Sequence, residues 1–203
     1  RVPPAAAGSL VSRWIAAAVG DGYQTKIDAV VAEAPRYVDV DADAARLGVP
    51  EPCVPTAVVA PTSQELDAAW RGMRAGRVAP RPAAMVNVPS VLDDRMRVAG
   101  SDHVLSFEAL YTPYALEGGW AASDEPERWL HALAGLARPG FAAGLRRWRA
   151  VTPPQWESEF SMERGFAPAF GRSPVALLAG RDPELTRYET PVQGLFLTGQ
   201  ATF

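Results

Sequence analysis

Between residues 26 and 34 the chain reads Lys-Ile-Asp-Ala-Val-Val-Ala-Glu-Ala, with Ile27, Ala29 and Val31 at every second position. That period of two predicts a strand with one covered face. The same period runs through His103–Tyr114, the longest strand in the pattern. His103, Leu105, Phe107, Ala109 and Tyr111 share one face of it, and Val104, Ser106, Glu108, Leu110 and Thr112 the other. Shorter runs predict a buried strand at Thr56–Pro61 and further strands at Ala83–Pro89 and Trp148–Thr152. Elsewhere the spacing is helical. Ser9–Val19 places Leu10, Trp14 and Ala17 or Ala18 on one side, with Gly20 as a stop. A second helix starts at Thr62 or Ser63, with Glu65 near the capping-box position; Leu66, Ala69, Trp70 and Met73 form its stripe and Gly76 its end. Ser123-Asp-Glu-Pro-Glu opens a third, whose stripe is Trp129, Leu130, Leu133 and Leu136 or Ala137, with His131 off it. Pro153–Phe160 predicts a short fourth, started by Pro after a Thr cap.

Other stretches carry no clear period. Asp39–Pro55, rich in Asp, Ala and Pro, reads as irregular, and its acids suit a solvated loop better than a cation site. Ser90–Arg95 reads as a polar connection and Ala99–Asp102 as a turn. Pro139–Trp148 reads as a short basic helix or turn with Arg146, Arg147 and Arg149 on the surface. Ser161–Thr190 reads as a long irregular segment, of the kind that is often functional. In 189–203, Pro191 and Gly194 bracket a turn, and Leu195, Phe196 and Leu197 suit a strand buried on both faces. Thr198-Gly199 follows, a place where a ligand can come close to the backbone. A helix is expected next, so the chain reads as a piece of a longer protein, exposing apolar surface along 189–203.

Strands interspersed with helices make the fold class α+β, a mixed sheet flanked by helices. Hydrophobic residues are 48% of the chain and charged ones 21%, enough apolar material for a core. The net charge of −3 gives no basic excess, which argues against nucleic acid as a partner. One cysteine, Cys53, excludes an internal disulfide and is expected to be inert. Two histidines and no CxxC leave no metal site to propose. No apolar stretch reaches the roughly 18 residues of a membrane helix. Glu108 reads as a paired or solvent-facing carboxylate in preference to a base. Tyr111-Thr-Pro-Tyr-Ala-Leu-Glu-Gly-Gly-Trp120 is an aromatic loop. Tyr111 and Tyr114 suit either the wall of an apolar pocket or plain packing with their hydroxyls satisfied. No residue presents itself as catalytic.

An ordered series of short motifs carries a resemblance over most of the chain. It comprises Lys26-Ile-Asp, Val88-Pro-Ser-Val-Leu-Asp, His103-Val-Leu-Ser, Tyr111-Thr-Pro-Tyr-Ala-Leu-Glu-Gly-Gly, Val151-Thr-Pro-Pro and Arg187-Tyr-Glu-Thr-Pro-Val-Gln-Gly-Leu-Phe-Leu-Thr-Gly-Gln-Ala-Thr. With these motifs the chain resembles the downstream half of the phytoene dehydrogenase-like flavoproteins, within the amine-oxidase-type FAD superfamily. It looks most like the branch that includes bacterial relatives of the animal pyridine-nucleotide-disulfide-oxidoreductase-domain protein 2.

The resemblance implies a division into a helical lead-in (1–23), a substrate domain (24–160), an irregular connection (161–188) and a strand returning to an FAD-binding domain (189–203). It implies FAD as cofactor, with Thr198, Gly199, Gln200, Ala201 and Thr202 in the motif beside it. The implied activity is hydride transfer from an apolar, carotenoid- or lipid-like substrate to flavin. The implied partners are that substrate and an FAD-binding domain, in the cytoplasm or in peripheral contact with a membrane. No G-x-G-x-x-G occurs in the 203 residues, so this chain alone is not expected to hold FAD. The alternative is a substrate-domain fragment or binding module without redox activity.

Overall fold

A computed structural model describes residues 20–49, 54–98, 101–166, 190 and 192–196. The chain divides into two units, residues 21–165 and residues 1–20 with 166–203. In the first, five antiparallel strands form one sheet in the order β2-β3-β4-β1-β5. They are β1 (Gln24–Val31), β2 (Thr56–Val59), β3 (Ala84–Asn87), β4 (His103–Leu110) and β5 (Leu145–Val151). Four α-helices accompany them: α1 (Val38–Leu47), α2 (Ser63–Arg74), α3 (Glu125–Leu136) and α4 (Pro153–Phe160). The class is α+β, with the sheet antiparallel throughout the described residues.

Alternation decides the two faces. β1 and β4 pair from Gln24↔Leu110 to Val31↔His103, and burial follows the pairing residue by residue. Thr25, Ile27, Ala29 and Val31 meet Ala109, Phe107, Leu105 and His103 on the covered face, joined by Ala84 and Val86 of β3. Tyr37 ahead of α1, and Trp129, Leu130 and Leu133 of α3, complete this core. Fully burying each large apolar side chain contributes roughly 1.5–3 kcal/mol. Gln24, Lys26, Asp28 and Val30 with Val104, Ser106, Glu108 and Leu110 make the second, half-buried face.

The helices start where side chains can replace missing backbone partners. Thr62 accepts from the Glu65 N–H while the Glu65 carboxylate accepts from the Thr62 N–H, a complete capping box on α2. At α4, which Pro153 opens, the Gln155 side-chain oxygen accepts from both the N–H and the hydroxyl of Thr152. On α3 the buried stripe is Trp129, Leu130 and Leu133; Ala137 is buried beyond its end, Leu136 is exposed, and so is His131.

Several boundaries differ from the sequence pattern. Val38–Leu47 is a helix that takes up the first part of Asp39–Pro55, the stretch read as irregular. Asp39 and Asp41 sit in its first turn, Arg46 in its last, and Gly48 closes it with φ +70°. Its only buried residue is Ala44, so it leaves almost no apolar period to detect. β2 is an edge strand with Val58 69% exposed, not a buried one. β5 begins at Leu145, ahead of Trp148, and its Arg146, Arg147 and Arg149 are exposed as read. Trp70 of α2 lies outside the core at 48% exposure. No helix among the described residues is long and apolar enough to cross a membrane.

The second unit contributes Gly20, Phe166, Thr190 and Val192–Phe196 to the described residues. There the Leu195 N–H donates to the Val192 carbonyl at 3.0 Å, closing a turn at Gly194 (φ +77°). Leu195 and Phe196 are exposed in this chain, in line with the apolar surface expected along 189–203. The Ser9–Val19 helix, Cys53, Leu197 and Thr198–Thr202 lie outside the described residues.

Candidate functional site

Tyr111, at the end of β4, turns the chain with φ +60°, a left-handed conformation that a bulky residue keeps only when its surroundings enforce it. The enforcement is visible on both sides. The Thr112 N–H donates to the Tyr23 carbonyl at 3.0 Å, and the Thr25 hydroxyl donates to the Thr112 hydroxyl at 3.1 Å. Farther along the loop, the Glu117 N–H donates to the Gly76 carbonyl at 2.7 Å. The Trp120 indole N–H donates to the Pro113 carbonyl at 2.9 Å. Trp70 stands edge-on to Tyr111 with ring centroids 6.3 Å apart. Thr25 and Thr112 are both fully buried. Thr112→Val therefore strands the Thr25 hydroxyl and is expected to cost about 1–3 kcal/mol. Adding Thr25→Val should recover part of that loss in denaturant unfolding, because no polar group is then left unpaired.

Tyr114 belongs to a second cluster. Its hydroxyl donates to one Glu157 oxygen, and the other accepts the Arg164 N–H at 2.9 Å. The Arg164 guanidinium lies 4.6 Å above the Tyr114 ring, and its Nε–H donates to Asp21. These contacts set the charge states. Hydrogen bonding to Glu157 holds the Tyr114 phenol above its ordinary value, and the same bond holds Glu157 below its own. The Arg164 hydrogen bond holds Asp21 low. The phenol proton is thus committed to a carboxylate. Tyr114 offers a ligand an oxygen lone pair and an aromatic edge, not an acidic proton.

The corner holding this cluster is built by backbone contact. Gly22 and Gly165 touch: a Cβ on Gly22 would lie 2.1 Å from the Gly165 carbonyl oxygen, and one on Gly165 2.3 Å from the Pro153 oxygen. The Gly22 N–H donates to the Arg164 carbonyl at 2.9 Å. Among the described residues the non-glycine positions with positive φ are Tyr111, Ser161 and Arg164. All lie in the two loops of this corner, and strained backbone gathers where a fold must hold side chains in fixed places.

Other candidates resolve as structure. Glu108 faces Lys26 and Met85 across the half-buried side of the sheet, within a charged ladder that includes the 3.1 Å Lys26–Asp28 pair. Arg146 and Arg149 reach Asp102 and Glu159 at 3.8 and 3.7 Å, which ties both to the surface of the unit. Asp41 joins Arg36 and Arg138. Among the described residues no group of three or more His, Cys, Asp and Glu is arranged to hold a metal.

A buried pair that the sequence did not announce, Ser90 and His103, is hydrogen-bonded at 3.0 Å through Nδ1. Arg97 donates to Nε2 at 2.9 Å. Since arginine only donates, Nε2 accepts and Nδ1 carries the proton toward Ser90. That is the reverse of an activated serine, whose proton the imidazole must accept.

The described helix N-termini do not fit the pyrophosphate of a dinucleotide cofactor. Such a site needs free backbone N–H groups and glycines. α2 is closed by its own capping box, and α4 opens on Pro153 and Pro154, which carry no N–H. α1 and α3 carry acids in their first turns, Asp39 and Asp41 in one and Glu125 and Glu127 in the other. Among the described residues no helix N-terminus is open to a phosphate.

No family model matches the chain. Among curated proteins it is similar to pyridine nucleotide-disulfide oxidoreductase domain-containing protein 2 of Mus musculus, 30% identical over 140 residues. Its similarity to the Rattus norvegicus protein of the same name is 31% over 142 residues. Each match covers 66% of this chain and 24% of the relative, so the chain spans about a quarter of the curated proteins it matches. The chain is therefore a distant homologue, over part of its length, of proteins named for an oxidoreductase domain.

Proposed function

We propose that the chain is the substrate-facing part of an FAD-dependent oxidoreductase of the phytoene dehydrogenase-like kind. In this reading Tyr111 and Tyr114 stand in the wall of an apolar pocket, and FAD is held by residues outside 21–165. The observation that carries the proposal is the aromatic loop, strained at Tyr111 and anchored at Thr112, Tyr114 and Trp120. Its rings are fixed before a ligand arrives, so little side-chain entropy is lost on binding. The distant homology to oxidoreductase-domain proteins supports the redox class. Bound FAD would supply the hydride acceptor, and this unit would contribute orientation and exclusion of water. Peripheral membrane contact is part of the proposal where the substrate is lipid-like.

The test is anaerobic mixing of the full reading frame, loaded with flavin, with long-chain lipid and polyene substrates. Bleaching of the visible flavin band by an apolar substrate is expected, with Tyr111→Ala raising the concentration needed severalfold. Bleaching by none would end this reading. The second reading, a binding module without redox activity, is favoured by the closed helix N-termini among the described residues. In that case apolar ligands bind and no flavin is reduced.

A further inference from the structure

The Ser90–His103–Arg97 cluster is absorbed by neither reading. His103 is 8% exposed and Ser90 fully buried. The Ser90 hydroxyl accepts both the His103 Nδ1–H and the Val104 N–H, the latter at 3.1 Å, fixing the ring against β4. Arg97 donates to Nε2, to the Ser101 carbonyl at 2.9 Å and to Asp94 at 2.7 Å. Through these bonds it ties together a segment of two one-turn 3-10 helices, Pro89–Val91 and Asp94–Met96, and the Val98–Asp102 bridge. Every bond to Nε2 in this arrangement requires a neutral ring.

We propose that His103 is a proton-operated switch for the described residues 89–98 and 101–102. The neutral imidazole accepts from Arg97 and holds the segment closed. The imidazolium has no lone pair to offer, so it expels Arg97 and donates instead to a carboxylate. The groups that act on the ring make such an exchange of partners available. Besides Arg97 they are Asp94 in the segment, Asp102 just before β4 and Glu33 just after β1, with Arg146 of β5 reaching Asp102 at 3.8 Å. Burial, and then the Arg97 charge, hold the ring below its ordinary value of 6.5, while the three carboxylates oppose them.

The direction follows from proton linkage. Between the lowered folded value and 6.5 the open or unfolded chain binds more protons than the closed one. Closure is complete above 6.5 and weakens as pH falls below it, for as long as the closed ring stays neutral. One linked proton sets a limiting slope of about tenfold in the closed-to-open ratio per pH unit.

The experiment is amide hydrogen exchange on the purified chain across this pH range, alongside nitrogen spectra of the histidine ring. Amides of β1 and β4 serve as the internal reference for intrinsic exchange. The expected result is a Nδ1–H tautomer at neutral pH, and loss of protection at Met96, Val98 and Asp102 on acidification while the reference amides hold. His103→Gln should abolish that pH dependence. Protection independent of pH in the native chain, or a ring that titrates with the segment still closed, would overturn the proposal. So would the same pH dependence in His103→Gln. If that variant does not fold, the native titration decides alone.

Discussion

Gly165→Ala is expected to destabilise the 21–165 unit by about 3 kcal/mol or more. Two costs add at this position. Gly165 has φ +63°, which costs any L side chain, and the new methyl would lie 2.3 Å from the Pro153 oxygen and 2.9 Å from its Cα. Backbone atoms at the head of α4 cannot swing aside as the tip of a flexible side chain can. Gly140→Ala separates the terms. Its φ is +106°, but nothing lies within 4 Å of the added methyl, so only the conformational cost of about 1 kcal/mol applies. Denaturant unfolding of the two variants measures the difference. Similar midpoints would show that the Gly22–Gly165–Pro153 corner is not the tight joint described. Because Gly165 adjoins Arg164, its loss should also shift the tyrosine absorbance titration of Tyr114 toward ordinary phenol behaviour.

Trp129→Ala is expected to cost about 3–5 kcal/mol, the range for emptying a large aromatic site in a core. Trp129 is 0% exposed and packs edge-on against Trp120, whose indole N–H holds Pro113 in the aromatic loop. The core is thus continuous with the aromatic loop. Among the described residues the Trp129 indole N–H has no hydrogen-bond partner, so Trp129→Phe removes volume without breaking a bond seen there and should cost markedly less than the alanine change. Equal losses for the two variants would indicate an acceptor, such as a buried water, that the indole depends on.

What could be read from the sequence follows from where burial imposes a period. β1 and β4 are flanked on both sides and covered on one face, so inward positions other than His103 are apolar or small, and their faces read correctly as far as Leu110. Beyond it the left-handed turn at Tyr111 breaks the alternation, and Thr112, read on the opposite face, is buried against Thr25. α3 buries one stripe and read correctly for the same reason. β5 is an edge strand with four consecutive exposed residues, Arg146–Arg149, so alternation fails and its first half resembled a basic turn. α1 buries one alanine and announces itself only through its terminal charges and Gly48, signals weaker than its Asp-rich composition.

The candidate site was half legible. Tyr111 and Tyr114 stood out as aromatic residues in a Pro- and Gly-bearing loop. Glu157, Arg164 and Asp21 did not, because Arg164 and Asp21 are 143 positions apart and no local pattern encodes that pairing. Ser90 and His103 were hidden likewise. His103 was placed on the correct face of β4, but Ser90 lies in a connection that composition alone marked as polar.

The most direct test of the account is the flavin absorbance of two purified proteins, residues 1–203 alone and the full reading frame that contains them. The account expects a bound flavin band in the full protein and none in the 203-residue chain, whose described helix N-termini are closed to phosphate. A flavin band on residues 1–203 alone would contradict the reading of this unit as a wall without a cradle. Absence of flavin from both would contradict the oxidoreductase reading and leave the binding module in its place.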